Sequence, residues 1–408
     1  MIGRNDLELM SLGGENSLVE FMEEAVCNET IAKEIVAFAN SSGGRILIGV
    51  ADNGDIKGVV DKQLQEKILN ICRDFVVPSI IPLYEEVPMD DGKREAVITI
   101  SQGINKPYLR KFNGREEIYI RMGNRCEIAT REQMARLFAV GGMLHMEVSP
   151  VSGTSIDNLD KTRLSYYLNT VLGEDISIYS ELDWIKRLSG LGFLTKNSVG
   201  DYVCTIVGLV CFCKTPHRFL PAAGIRFISY DSFQQKYHAQ IDTLLDNALV
   251  GDFVSSDTGS YLSSRGLIED FLLVVKPFIS KESDSLDENM RKTTTYYYPK
   301  EAIRESLINA LVHRDWTASL EVLVENYNDR IEITSPGRMQ NSMTVEKMIA
   351  GQRSPRNNLI VDIMRDYNYV DARGMGVRAK VIPSMKKFNN TEPIYEVSED
   401  NFKVILKR

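Results

Sequence analysis

Glu305, Asn309 and His313 stand four residues apart within Tyr298–Asp315, Y-P-K-E-A-I-R-E-S-L-I-N-A-L-V-H-R-D. At about 100° per residue a helix stacks all three on one face, so a carboxylate, an amide and an imidazole project together. Ile303, Leu307, Ala310 and Leu311 fall on the opposite face, which reads as the buried one. Pro299 suits the first turn, where its missing N–H leaves no helical bond unmade. A second stretch carries phosphate chemistry. Gly374-Met375-Gly376 precedes a helical run, and glycines there let backbone amides approach a phosphate whose charge the helix dipole favours. Each signal also has a plain alternative: a solvated amphipathic face for E-x-x-x-N, and a simple helix-start turn for G-x-G.

The elements that must position these groups follow in a fixed order. Leu320–Glu325 and Arg330–Thr334 alternate with period two around the turn Asn326–Asp329, which reads as a hairpin. Ser335-Pro336-Gly337 comes next, then a polar loop from Asn341 to Asn358 containing Arg353-Ser354-Pro355-Arg356-Asn357-Asn358. A helix ending near Tyr367, the G-x-G, a further helix and strands at Ile394–Glu396 and Asn401–Leu406 complete the pattern. Helix with E-x-x-x-N, hairpin, glycine turn, polar loop and G-x-G resembles the GHKL nucleotide fold of gyrase-type and histidine-kinase-type ATPases. The resemblance implies ATP with Mg²⁺ as cofactors, Glu305 as general base and Asn309 as magnesium ligand. It places His313 beside them and makes Gly337, Gly374 and Gly376 backbone contacts. It further implies that Arg314 and Asp315 pair with phosphate or orient Glu305, and that Arg356 reaches phosphates from the loop. Standard members carry D-x-G-x-G after the hairpin, where the acid reads the adenine amine. Ser335-Pro336-Gly337-Arg338 has no acid, so nucleotide binding is expected ahead of turnover.

The first third of the chain alternates helix and strand. A short strand is expected at Glu15–Phe21, a helix at Glu29–Asn40, a buried strand at Arg45–Val50 and a helix from Lys62 to Cys72. Strands at Ala96–Ser101 and Glu117–Met122 and a helix from Arg131 follow. The run A-F-A-N-S-S-G-G-R-I-L-I-G-V-A-D-N-G-D-I-K-G-V, with Lys106-Pro107-Tyr108 and I-Y-I-R-M-G-N further on, resembles the AlbA-like domain of Schlafen-type proteins. Nuclease members of that family place three acidic residues around a metal ion, and the pattern falls on Glu15, Glu20 and Asp52. Clustered carboxylates suit Mg²⁺ or Mn²⁺. Where relatives read E-F-K, this chain reads Glu20-Phe21-Met22, which removes a cation from the implied site. Candidate nucleic-acid contacts are Arg45, Lys106, Arg110, Lys111, Arg115, Arg121 and Arg125, with Tyr108, Phe112 and Tyr119 nearby.

At 408 residues more than one core is expected. A net charge of −8 argues against a broadly basic coat and leaves room for a local basic groove. The six cysteines form no C-x-x-C pair and the four histidines are scattered, so no zinc constellation is present. No apolar run reaches the length of a membrane span, and no signal peptide opens the chain. A reduced, cytoplasmic protein is the expectation. The fold class expected is α+β in three parts. A Schlafen AlbA-like domain occupies 1–140 and a linker with a mostly helical, winged-helix-like region occupies 141–295. A GHKL (Bergerat-type) α/β sandwich occupies 296–408. Within the middle part helices are expected at Leu159–Leu172, Leu182–Gly192, Asp242–Val254 and Leu267–Ile279, a hairpin between Phe193 and Thr205, and mobility at Lys281–Thr294. Together the two resemblances imply a nucleic-acid-binding regulator that works as a homo-oligomer under ATP control. The alternative is an ATP-gated, metal-dependent nuclease acting on RNA, tRNA or DNA in phage defence.

Overall fold

Alternating apolar periods in the first third of the chain become, in order, α1 (Arg4–Gly13), β1 (Val19–Met22), α2 (Asn28–Asn40), β2 (Gly44–Ile48) and α3 (Leu64–Asp74). There follow β3 (Val76–Val77), β4 (Leu83–Pro88), β5 (Arg94–Ile100), β6 (Leu109–Phe112), β7 (Arg115–Glu117), β8 (Tyr119–Met122), β9 (Arg125–Ile128) and α4 (Arg131–Val140). This is a computed structural model, and it describes every residue except 1–2, 90–91, 142–144, 257–258, 287–291, 341–342, 372–374 and 399. The chain divides into two units, Met1–Leu144 and His145–Arg408.

In the first unit the sheet order is β1-β2-β5-β4, with β1 parallel to β2 and the other pairs antiparallel. Period-two alternation sends Ile46, Ile48, Ala96 and Ile98 to one face, where Ile35, Phe38 and Ile68 of α2 and α3 cover them. Leu47, Val97, Val19 and Phe21 fill the other face beneath Leu7 of α1. The strand expected at Glu15–Phe21 shortens to β1. Asn16 turns the chain first, accepting the Leu18 N–H at its side-chain oxygen at 2.8 Å.

One carboxyl breaks the apolar pattern beneath α1. Glu95 stands opposite Val87 and two residues from Val97, is fully buried, and has no hydrogen-bond partner among the described residues on either oxygen. Burial pushes its carboxyl up from 4.5 to about 7. Between those values the folded state holds a proton that the unfolded state releases. The stability this group contributes is therefore present at low pH and lost as pH rises through about 7. Glu95→Leu is expected to flatten that slope and to stabilise the unit at pH 8 by up to about 3 kcal/mol. Denaturant midpoints of wild type and variant at pH 5 and pH 8 measure it; equal differences at both pH values refute the assignment.

The second unit runs α5 (Lys161–Ser165), α6 (Glu181–Gly190), β10 (Leu194–Lys196), β11 (Tyr202–Cys204), α7 (Ile206–Phe212), β12 (Ile225–Ser229), β13 (Ile241–Leu245), β14 (Asp252–Ser256) and β15 (Gly259–Ser264). It continues with α8 (Leu267–Ile279), β16 (Ser280–Leu286), β17 (Lys292–Tyr296), α9 (Lys300–His313), β18 (Val322–Asn326), β19 (Arg330–Pro336), α10 (Val345–Ile349) and α11 (Asn358–Asp366). A π-helical turn at Gly376–Val381, α12 (Ile382–Asn389), β20 (Ile394–Val397) and β21 (Asn401–Lys407) end it. Six strands pair in the order β13-β12-β18-β19-β21-β20, parallel only between β12 and β18. Phe271 of α8 meets Phe227 of β12 edge-on at 5.9 Å. Val322, Val324, Ile331 and Ile333 share one core with Ile303, Leu307 and Leu311 of α9.

Three expectations change here. Asp242–Val254 is not helical: Ile241–Leu245 pairs with β12, a strand the sequence reading did not anticipate, and β14 begins at Asp252. The neighbouring strand edge overrides local propensity. Lys281–Thr294, expected to be mobile, lies in the paired strands β16 and β17 around 287–291. The helix expected at Leu159–Leu172 is α-helical only to Ser165 and continues as a π turn over Tyr166–Val171. The middle stretch has no separate core, because Leu164, Phe193, Val207 and Phe227 join the cluster that holds α9 and β21.

Candidate functional site

α9 forms where the sequence places it, and its polar row runs from buried to open. Glu305 is buried, Asn309 half-buried and His313 exposed. The expected solvated face is instead partly covered by the turn at Gly376–Val381. A Cβ on Gly376 would sit 1.7 Å from Glu305 Oε1, so any larger residue there would displace the Glu305 side chain. Glu305 Oε2 lies 3.6 Å from Lys380 Nζ. Asn309 makes no side-chain hydrogen bond to a described residue.

The residues after α9 close the helix. Ser335 donates from Oγ to the Ala310 carbonyl at 2.7 Å. Asn357 donates from Nδ2 to the carbonyls of Val312 and Arg314, both at 2.9 Å, filling acceptors a helix C-terminus leaves open. Arg314 is buried, donates to the carbonyls of Ala222 and Leu320, and stacks 4.0 Å from the Trp316 ring. Burial pushes it down to about 10. These partners make Arg314 a structural cation, in place of the phosphate role expected from sequence. Asp315 pairs with Arg356 and accepts from Thr317 N–H and Oγ at 2.9 and 2.7 Å. Burial raises its carboxyl, but Arg356 and Thr317 outweigh burial and hold it below the usual range. Arg356 also donates to the Arg338 carbonyl at 2.5 Å. Gly337, at φ +100°, leaves room for this pair: a Cβ would meet Asp315 Cβ at 2.5 Å. Gly337 and Arg356 thus sit in one ion-paired knot with Asp315. Gly374 lies outside the described residues.

In the first unit the acidic residues and the motif cations meet each other. Arg121 is buried and pairs with Glu20 at 2.5 Å and Glu34 at 2.8 Å, and donates to the carbonyls of Asn16 and Val19. Burial, then the Glu34 carboxylate, push Glu20 up to about 7 against the pull of Arg121, with Glu15 adding to the rise. Burial raises Glu34 as well. Glu15 accepts the Phe21 N–H at 3.4 Å, and Asp52 is exposed on the turn after β2. Among the described residues no group of three such side chains is placed to hold a metal ion. The guanidinium of Arg121 is the counter-charge to Glu20 and Glu34. Glu34 was missed because nothing in its helical position distinguishes it from a surface residue.

Lys106 is likewise buried, donating to the carbonyls of Asn40 and Ser41 at 2.6 and 2.9 Å and so closing α2. Asn40 itself bonds the backbone of Tyr108 and Tyr119. Arg110 pairs with Glu117 and lies 5.0 Å over the Tyr119 ring. Of the expected nucleic-acid contacts, Arg45, Lys111, Arg115 and Arg125 are the ones exposed. Lys111 and Arg115 flank the Asn113-Gly114 turn between β6 and β7, where both turn residues have positive φ. Elsewhere, an open depression of about 480 Å³ lined by Ile178, Tyr179, Asp183, Lys186 and Arg187 carries none of the α9 side chains. No helix among the described residues is long and apolar enough to cross a membrane.

The Schlafen, AlbA_2 family matches residues 15–130. The family described as "Putative ATP-dependent DNA helicase recG C-terminal" matches residues 320–406, starting beyond α9. Among solved structures, the DIP2311 protein of Corynebacterium diphtheriae aligns at 18% identity with a TM-score of 0.45, over 96% of this chain and 75% of its own. The N-terminal domain of a RecG-related protein from Nitrosomonas europaea aligns at 20% identity with a TM-score of 0.25, over 32% of this chain and 94% of its own. No curated protein matches the chain. The chain therefore joins a Schlafen AlbA_2 domain at its N-terminal end to a domain of the recG C-terminal type at its C-terminal end.

Proposed function

We propose that this chain is an ATP-binding, nucleic-acid-binding regulatory protein whose nucleotide state controls its assembly or its grip on nucleic acid. The observation that carries the reading is the contact of Glu305 with the bare Cα of Gly376, on the same helix face that carries Asn309 and His313 one and two turns further on. Those groups fit the phosphate end of a nucleotide. Asn309 has an amide free to take a magnesium ion, and the first turn after Gly376 offers backbone amides. When bound, ATP with Mg²⁺ supplies the phosphoanhydride and the charge that Asn309 steadies. Glu305 then serves as the base that orients water, once uncovered. The Ser335-Pro336-Gly337 turn has no acid for the adenine amine, which favours binding and switching over fast turnover.

Arg45, Lys111, Arg115 and Arg125 are the side chains that would meet the phosphates of a nucleic acid. By analogy with nucleotide-driven relatives, the assembly controlled is a homo-oligomer. The nuclease alternative has no observation in its favour, since Glu20 holds Arg121 and Met22 is buried. Titration of labelled single- and double-stranded oligonucleotides, with and without ATP and Mg²⁺, tests the proposal. A shift in affinity or in sedimentation on adding nucleotide supports it. Binding indifferent to nucleotide, or metal-dependent cutting lost in Glu20→Ala/Asp52→Ala protein, overturns it.

A further inference from the structure

Both carboxylate oxygens of Glu305 face one short segment. Oε1 lies against Gly376 and Oε2 lies 3.6 Å from Lys380 Nζ. A water molecule to be activated by Glu305 would need the space this segment takes. The segment is also a separate mechanical piece. Ile382 N–H donates to the Val377 carbonyl, five residues back, so Gly376–Val381 is a π turn and not a continuation of α12. Pro383 accounts for it: proline has no N–H to give and crowds the carbonyl four residues earlier in an α-helix. Such turns recur at functional positions, and here the π turn can shift while the bonds of α12 stay intact.

Lys380 has 40% of its side chain exposed, whereas Glu305 has 9%. An ion pair with one partly solvated member is worth a few-fold at most, whereas an ammonium on a multiply charged phosphate is worth roughly ten- to hundredfold in affinity. A phosphate arriving beside Asn309 therefore wins the lysine from the carboxylate. We propose that Lys380 is a nucleotide-phosphate ligand which Glu305 holds in reserve, and that its transfer to phosphate uncovers Glu305. This rests on the nucleotide reading above.

The pair predicts shifts of opposite sign. With a non-hydrolysable ATP analogue and Mg²⁺ in calorimetry, Lys380→Met weakens binding roughly tenfold or more. Glu305→Gln tightens it about threefold, because the lysine no longer has to leave a carboxylate. The double variant binds as weakly as Lys380→Met alone, since the gain from Glu305→Gln acts only through the lysine. In nucleotide-free protein, Glu305→Gln also speeds amide hydrogen exchange across Gly376–Val381. Thermal melts of each variant show that it is folded. If wild type binds and both single variants weaken binding, or Lys380→Met binds like wild type, the latch is overturned and the nucleotide site stands. If wild type takes up no analogue, the nucleotide reading itself falls.

Discussion

Arg121→Met is expected to destabilise the first unit by about 3–5 kcal/mol at pH 8, the range for removing one member of a buried ion pair. The side chain is 1% exposed, and it ties β8 to β1 and α2 through Glu20, Glu34 and two backbone carbonyls. Its guanidinium carbon also lies 4.8 Å over the Phe38 ring, a contact methionine partly keeps. What methionine cannot keep is the charge, so the buried Glu34 and half-buried Glu20 carboxylates lose their counter-ion. Burial raises both acids, Glu20 to about 7, so the variant's deficit shrinks as pH falls and they protonate. Adding Glu20→Gln and Glu34→Gln to Arg121→Met should restore part of the loss. Denaturant unfolding, read by hydrogen exchange in β1 and α2, gives the numbers. A loss below about 1 kcal/mol with a marked fall in nucleic-acid affinity would return Arg121 to the surface role its sequence position suggested.

That contrast shows where the sequence was readable. α2, β2, α9 and the β18–β19 hairpin follow from periodicity, because each buries a stripe or a face that the residues within it define. Glu305, Asn309 and His313 share a face for the same reason. Lys106, Arg121, Arg314 and Arg356 were read as ligands of phosphate because a sequence shows charge without showing its partner. Each is a buried cation serving carbonyls or carboxylates far along the chain, as Lys106 does for Asn40 and Arg314 for Ala222. Motif residues of this kind hold the backbone around them in place. The strands β12 and β13 were missed for a related reason: β12 gains its hydrogen bonds on one side from β18, which follows nearly a hundred residues later, and β13 pairs in turn with β12. The cover over Glu305 was equally invisible, since G-x-G announces a helix start and not the lysine one turn further on.

Asn309→Ala should weaken binding of ATP with Mg²⁺ by roughly ten- to a hundredfold, the worth of one hydrogen-bonding group on a charged partner. The fold should not suffer. Asn309 is half-buried and its side chain bonds no described residue, so truncation strands no partner. Alanine is also the better helix former by about half a kcal/mol, so the melting temperature should hold or rise slightly. This separates Asn309 from Asp315 and Arg356, whose removal would break a buried pair and lower stability whether or not nucleotide binds. The role assigned to Asn309 is specific to metal, so the deficit must depend on metal. Calorimetry with Mg²⁺ present should show the full loss, and the same titration in chelator should show wild type and variant converging. An equal loss under both conditions would make Asn309 a direct contact of the nucleotide. Unchanged affinity in Mg²⁺ would remove α9 from the site, and with it the reason for Glu305 to lie beneath a glycine and a lysine that can leave.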